Sequence, residues 1–136
     1  MTIADFSARY LTRTILAGAL LLSMAGGAWA IHRMTAQSGV PTSCGCDYWR
    51  VDNQGKEWPI SIQYTTKPAN GTVRTVTKTA QRTLRNGKPV NVHVTEMIYT
   101  SKKGYVGEDS FSYRRITGDP TDANNGKEYT IAVTVR

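Results

Sequence analysis

Tyr99-Thr-Ser-Lys-Lys-Gly-Tyr-Val-Gly-Glu-Asp-Ser-Phe-Ser-Tyr113 is the stretch that decides the fold. Aromatic residues bracket a glycine-containing turn, read at Tyr105-Val106-Gly107, and an alternating segment leaves it. Asp109, Phe111 and Tyr113 recur at period two, which places them on one face of a strand. At the end of the chain Tyr129, Ile131, Val133 and Val135 alternate with Thr130, Ala132 and Thr134, a second strand with an inward and an outward face. The two segments predict a small antiparallel β domain and are silent on what it binds.

Working upstream, the same period recurs. Ile60, Ile62 and Tyr64 alternate with Ser61, Gln63 and Thr65. Lys67-Pro68-Ala69-Asn70-Gly71 reads as a turn, and the β-branched run Thr72 to Thr79, continued by Gln81 to Leu84, reads as a strand. Asn86-Gly87 is a strong hairpin signal because both residues tolerate positive φ. The return strand runs from Pro89 to Thr100. Val90, Val92 and Val94 share one parity and Met97 and Tyr99 the other, so a β-bulge near Thr95-Glu96, or a crossing between sheets, is expected. Thr117 to Lys127 reads as a polar loop. Strands separated by turns about every ten residues, with no helical period after residue 30, predict an all-β sandwich.

The first thirty residues are of a different kind. Arg9 and Arg13 precede an uncharged apolar segment, Ile15 to Ala28, and Ala28-Trp29-Ala30 is a small-x-small cleavage pattern. This predicts a signal peptide over 1–30, its alternative being an uncleaved membrane anchor. The apolar run is shorter than the roughly 20 residues of a membrane span, which favours cleavage. Residues 31–46, polar and weakly patterned, are expected to be a flexible arm, and residues 47–136 the sandwich. The whole chain has 136 residues and a formal charge of +7. Subtracting Arg9, Arg13 and Asp5 from its 17 basic and 10 acidic residues leaves +6. An exported basic domain favours anionic glycans, lipid headgroups or an acidic protein, and export points away from nucleic acid.

Cys44 and Cys46 are the only cysteines. In an oxidising compartment they are disulfide candidates. A bridge between residues two apart closes a small, strained and easily reduced ring. Bridging to a second chain, a redox or metal role, and two plain thiols all remain open. Structural zinc needs four ligands, and His32 or His93 supplies no recognisable spacing.

Part of the chain is similar to the bacterial Ig-like or cadherin-like repeats of large surface proteins. The resemblance rests on Pro68-Ala69-Asn70-Gly71-Thr72-Val73, on Tyr99-Thr100, on Gly104-Tyr105-Val106-Gly107-Glu108-Asp109-Ser110-Phe111-Ser112-Tyr113, and on Tyr129 to Val135. It departs from the family pattern at Ser101, where proline is usual, at Arg114-Arg115, and in the long loop after Ile116. It implies an Ig-like antiparallel sandwich in which Tyr99, Tyr105, Gly107, Asp109, Phe111 and Tyr113 are structural. Asp109 is expected to accept hydrogen bonds from backbone amides of the Tyr105–Gly107 turn.

No catalytic constellation is present in the sequence. His93 lies between Val92 and Val94 on the outward parity of a strand, and Ser110 beside Asp109 belongs to the structural motif. Calcium needs six to eight oxygens, and Glu108, Asp109, Asp119, Asp122 and Asn124 show no calcium-loop spacing. No cofactor or metal is therefore expected. Arg74, Lys78 and Arg82 share a parity and, with Arg114 or Arg115, are expected to form a positive face for an anionic glycan or lipid headgroup. Trp49, near Tyr48 and Trp58, is read either as a core cap or as part of an exposed patch for glycan stacking. The expected function is an exported binding or adhesion module that recognises a protein or anionic glycan at the bacterial envelope and is not an enzyme. The alternative is a structural accessory subunit of an envelope assembly, linked through Cys44 or Cys46.

Overall fold

The computed structural model describes residues 31–136; the leader expected over 1–30 lies outside the described residues. Every strand or helix assigned among the described residues is a strand: β1 (Ile31–Ala36), β2 (Thr42–Ser43), β3 (Ile60–Thr66), β4 (Gly71–Thr83), β5 (Pro89–Ser101), β6 (Gly107–Thr117) and β7 (Glu128–Val135). They form two sheets, one in the order β1-β7-β6-β3 and one in the order β2-β5-β4. The protein is an all-β two-layer sandwich. Among the described residues the strand pairs are antiparallel except β1 with β7, which run parallel.

Alternation explains the core. Phe111, Tyr113, Ile131, Val133 and Val135 project from one sheet, and Met97 and Tyr99 from the other. Stacked Tyr99 and Phe111 rings, with centroids 6.2 Å apart, join the two layers. Burying rings of this size contributes most of the hydrophobic stabilisation open to so small a domain.

Several expectations are corrected. Residues 31–46 are not a flexible arm: β1 pairs with β7 from Ile31↔Thr130 to Ala36↔Val135, and β2 pairs with β5. Met34 packs against the core and Ala36 is part of it. No bulge interrupts β5, whose ladder with β4 runs in unbroken register from Gly71↔Ser101 to Thr83↔Pro89. The change of phase arises because β5 is covered on both faces. Met97 and Tyr99 face the core. Val92 and Val94 lie on the other face, with Lys78 and Arg82, where Asp47 reaches across from beside β5 to pair with both cations. The segment after Cys46 thus closes over that face. At the hairpin only Gly87 takes positive φ, at 82°, so Asn86 does not use its tolerance. Likewise the turn before β6 lies at Lys102–Tyr105, where Tyr105 N donates to Lys102 O at 3.1 Å and Gly104 takes φ 85°.

Candidate functional site

The end of the sandwich that carries the β4–β5 hairpin gathers three segments that are distant in sequence. They are the excursion between β2 and β3, the hairpin tip at Thr83–Asn86, and the loop after β6. Between them lies an open groove of about 830 Å³, lined by Trp49, Arg50, Asp52, Trp58, Arg85 and Thr121 among others. Both tryptophans of the described residues border it.

Each wall is fixed by polar contacts. Asp52 organises its own turn: Oδ1 accepts from the amides of Gln54 and Lys56, both at 2.9 Å, and Oδ2 accepts from Trp58 Nε1 at 3.3 Å. The amide of Lys56, then that of Gln54 and the indole, hold the Asp52 carboxyl below its ordinary value. Lys56 Nζ lies 3.9 Å from the Trp58 ring centroid, and Gly118 packs beside the same ring. Trp58 is therefore held by its neighbours, while half-buried Trp49 borders the opening.

The excursion is tied to the β6–β7 loop by Arg50, whose Nε donates to Asp119 Oδ2 at 2.6 Å. Asp119 is 3% exposed, and its Oδ1 accepts from both the hydroxyl and the amide of Thr121. The Thr121 hydroxyl and amide, then Arg50, lower the Asp119 carboxyl to about 2. A second clasp lies beneath: Arg115 donates to Asp122 at 2.6 Å, with both side chains largely out of water. The Arg115 guanidinium also sits 5.5 Å from the Tyr48 ring centroid, and the Tyr48 hydroxyl hydrogen-bonds that of Tyr113.

The expected positive face does not assemble. Arg115 points inward to Asp122 because its parity on β6 is that of Phe111 and Tyr113. Arg114 is exposed on the outer face of the other sheet, opposite Glu128 and Gln63. Arg74, Lys78 and Arg82 do share the outer face of β4. However, Lys78 is paired with Glu96 at 3.1 Å and Asp47 at 3.6 Å, and Arg82 with Asp47 at 3.2 Å. The Glu96 hydrogen bond, with further help from Asp47, raises Lys78 above its ordinary value. Of that trio Arg74 is exposed on the strand away from the groove. Of the expected binding residues only Trp49 lies in the groove. Arg50 and Arg85, which join it there, come from segments whose meeting no local pattern announces.

Of the structural motif residues, Tyr99, Phe111 and Tyr113 lie in the core, Tyr105 packs against it, and Asp109 bonds the Tyr99 hydroxyl. Asp109 accepts from the amides of Ala69, Asn70 and Ser110, not from those of the Tyr105–Gly107 turn. Tyr105 instead donates its hydroxyl to Glu108 O at 2.5 Å. Gly107 has φ 139°, and a Cβ there would lie 3.1 Å from the Tyr105 hydroxyl. Asp119 and Asp122, considered above as calcium ligands, each face an arginine. His93 is exposed and its Nδ1 lies 3.0 Å from Glu57 Oε2. Cys44 and Cys46 are free thiols, the first buried and the second half-buried, so of the alternatives left open the intramolecular bridge is not formed in this structure.

No family model matches the chain. No curated protein matches it either. Among solved structures it is similar to the crystal structure of a cysteine protease inhibitor from Entamoeba histolytica, at 13% identity and a TM-score of 0.33, covering 82% of this chain and all of that one. A likeness at that score bears on neither the ligand nor the activity of this chain.

Proposed function

We propose that the protein is an exported Ig-like binding module that recognises an anionic glycan at the bacterial envelope, with the groove as its binding site. The observation behind this reading is the composition of the groove: the half-buried indole of Trp49 beside Arg50, Arg85, Asn53, Gln54 and Asn86. An indole face stacks on the apolar side of a sugar ring, planar amides and guanidinium groups bind its hydroxyls, and arginine binds a carboxylate or sulfate in bidentate fashion. Specific sites combine a few such polar groups with aromatic walls, and they sit on loops positioned by a rigid scaffold. Here the scaffold is the sandwich, and the clasps from Arg50 and Arg115 hold the loops in place.

The test is calorimetric titration with uronic-acid oligosaccharides alongside their uncharged counterparts. Binding to the acidic series that weakens in Trp49→Ala and Arg85→Ala supports the reading. Binding that neither substitution alters, or no preference for the acidic series, rejects it.

A further inference from the structure

The Cys44-Gly45-Cys46 tripeptide is not an ordinary piece of strand. In a regular strand, residues two apart are separated by about 6.6 Å, near the upper limit for a disulfide. Gly45 takes φ 70°, and the chain turns there, just beyond the two residues of β2. Each sulfur consequently lies against the other residue's backbone. The Cys46 amide donates to Cys44 Sγ at 3.2 Å, and the Cys46 thiol lies 3.6 Å from the Cys44 carbonyl oxygen. That carbonyl also accepts a 3.0 Å contact from the His32 ring, and the Cys44 amide is held by Met97 O at 3.1 Å. The backbone on both sides is thus pinned by β1 and β5.

We propose that Cys44 and Cys46 form a peroxide-oxidised dithiol, in which Cys44 attacks hydrogen peroxide or another small hydroperoxide and Cys46 resolves the product to an intramolecular disulfide. The Cys46 amide donates to the Cys44 sulfur at 3.2 Å and stabilises its thiolate, while the Cys46 thiol lies alongside, against the Cys44 carbonyl. Its Cys46 neighbour, thiol first and amide after it, lowers Cys44 to about 7 against the opposing effect of burial, and Cys44 and burial raise Cys46. The Cys44 thiolate cleaves the O–O bond, becoming a sulfenic acid and expelling an alkoxide or hydroxide. Cys46 gives that leaving group its proton, so an alcohol or water departs. The Cys46 thiolate then attacks the sulfenic sulfur, the S–S bond forms, and hydroxide leaves. Two sulfurs lose two electrons in all, and the peroxide gains them. Cys44 is only 3% exposed, which excludes a bulky disulfide partner and leaves small oxidants. The ring so formed is small and easily reduced, which makes the step reversible.

The experiment uses the full chain, reduced and freed of reductant, treated with hydrogen peroxide near pH 7. Intact mass is read with and without dimedone, a trap for sulfenic acid. The expected result is loss of two hydrogens from the folded wild type, recovered with dithiothreitol. Cys46→Ser stops at a dimedone adduct on Cys44, and Cys44→Ser slows oxidation by roughly tenfold or more, the ratio of thiolate fractions at neutral pH. The wild-type rate rises with pH and levels off above about 7; Cys46 and Glu96 face Cys44, and Asp47 and Tyr113 face Cys46. A wild type that keeps both hydrogens unless denatured, or a dimedone adduct that forms on Cys46 instead, overturns the proposal without recourse to either variant's folding.

Discussion

The Tyr99 hydroxyl donates a 2.7 Å hydrogen bond to Asp109 Oδ2, from a side chain with no exposed surface. The same carboxylate accepts from the amides of Ala69 and Asn70, each at 3.1 Å. One acidic side chain on β6 therefore fastens β5 and the β3–β4 turn. Burial, followed by the Asp109 carboxylate, pushes the Tyr99 phenol up, so it remains a donor throughout the physiological range. Tyr99→Phe keeps the ring stack and loses one charge-assisted bond, an expected cost of about 1.5–3 kcal/mol. Asp109→Ala removes the acceptor from all four donors and is expected to cost more. Urea unfolding with an unchanged slope measures both. Equal losses in the two variants would show that the amide contacts contribute nothing.

Adjacent arginines on β6 are expected to behave oppositely. Arg115→Ala leaves the Asp122 carboxylate, 4% exposed, without its cation, and losing one member of a buried pair costs about 3–5 kcal/mol. Arg114 is exposed on the outer sheet face, and Arg114→Ala is expected to change stability by no more than about 0.5 kcal/mol. Thermal melts of the two variants decide the matter, and a similar midpoint for both would contradict the buried clasp.

This pair also marks where sequence reasoning stopped. Strict alternation in β3, β6 and β7 announces which side chains meet in the core, because period two is a local property of the chain. Arg115 shares the parity of Phe111 and Tyr113, so its inward direction is written in the local alternation; its partner Asp122 sits on a loop that no periodicity reaches. β1 was illegible for a related reason. His32, Met34 and Ala36 form a short, partly polar alternation whose partner is the last strand of the chain. The groove is further still from any local signal, since Arg50 and Asp119 are separated by 69 residues. Trp49 and Trp58 read either as core caps or as an exposed patch, because which of the two they form depends on how the excursion folds back.

Acid should expose the clasp between Arg50 and Asp119. Asp119 is lowered to about 2 in the folded chain, against about 3.9 unfolded. A carboxylate with a lowered folded value contributes stability that is present in full above the unfolded value and is lost as pH falls through the folded one. Asp119→Asn removes that contribution while keeping the shape. The variant is expected to melt roughly 5 °C or more below wild type at pH 7, with the gap narrowing below pH 4 and nearly closing by pH 2. A gap independent of pH would mean that the loss arises from packing rather than from charge.

Salt separates the two kinds of contact in the groove. Arg85 is exposed at the hairpin tip, so an attraction between it and an acidic sugar is screened over about 10 Å at 0.1 M salt. Stacking on Trp49 is not screened. Raising salt from low to physiological strength is therefore expected to weaken wild-type binding of a uronic-acid oligosaccharide several-fold. Arg85→Ala should bind more weakly at low salt and show a shallower salt dependence. Trp49→Ala should lose affinity by the same factor at every salt concentration while retaining the wild-type slope. Calorimetry at three ionic strengths measures all three behaviours. If Trp49→Ala instead flattened the slope, the indole would be positioning the arginine rather than contacting the sugar, and the groove would bind by charge alone.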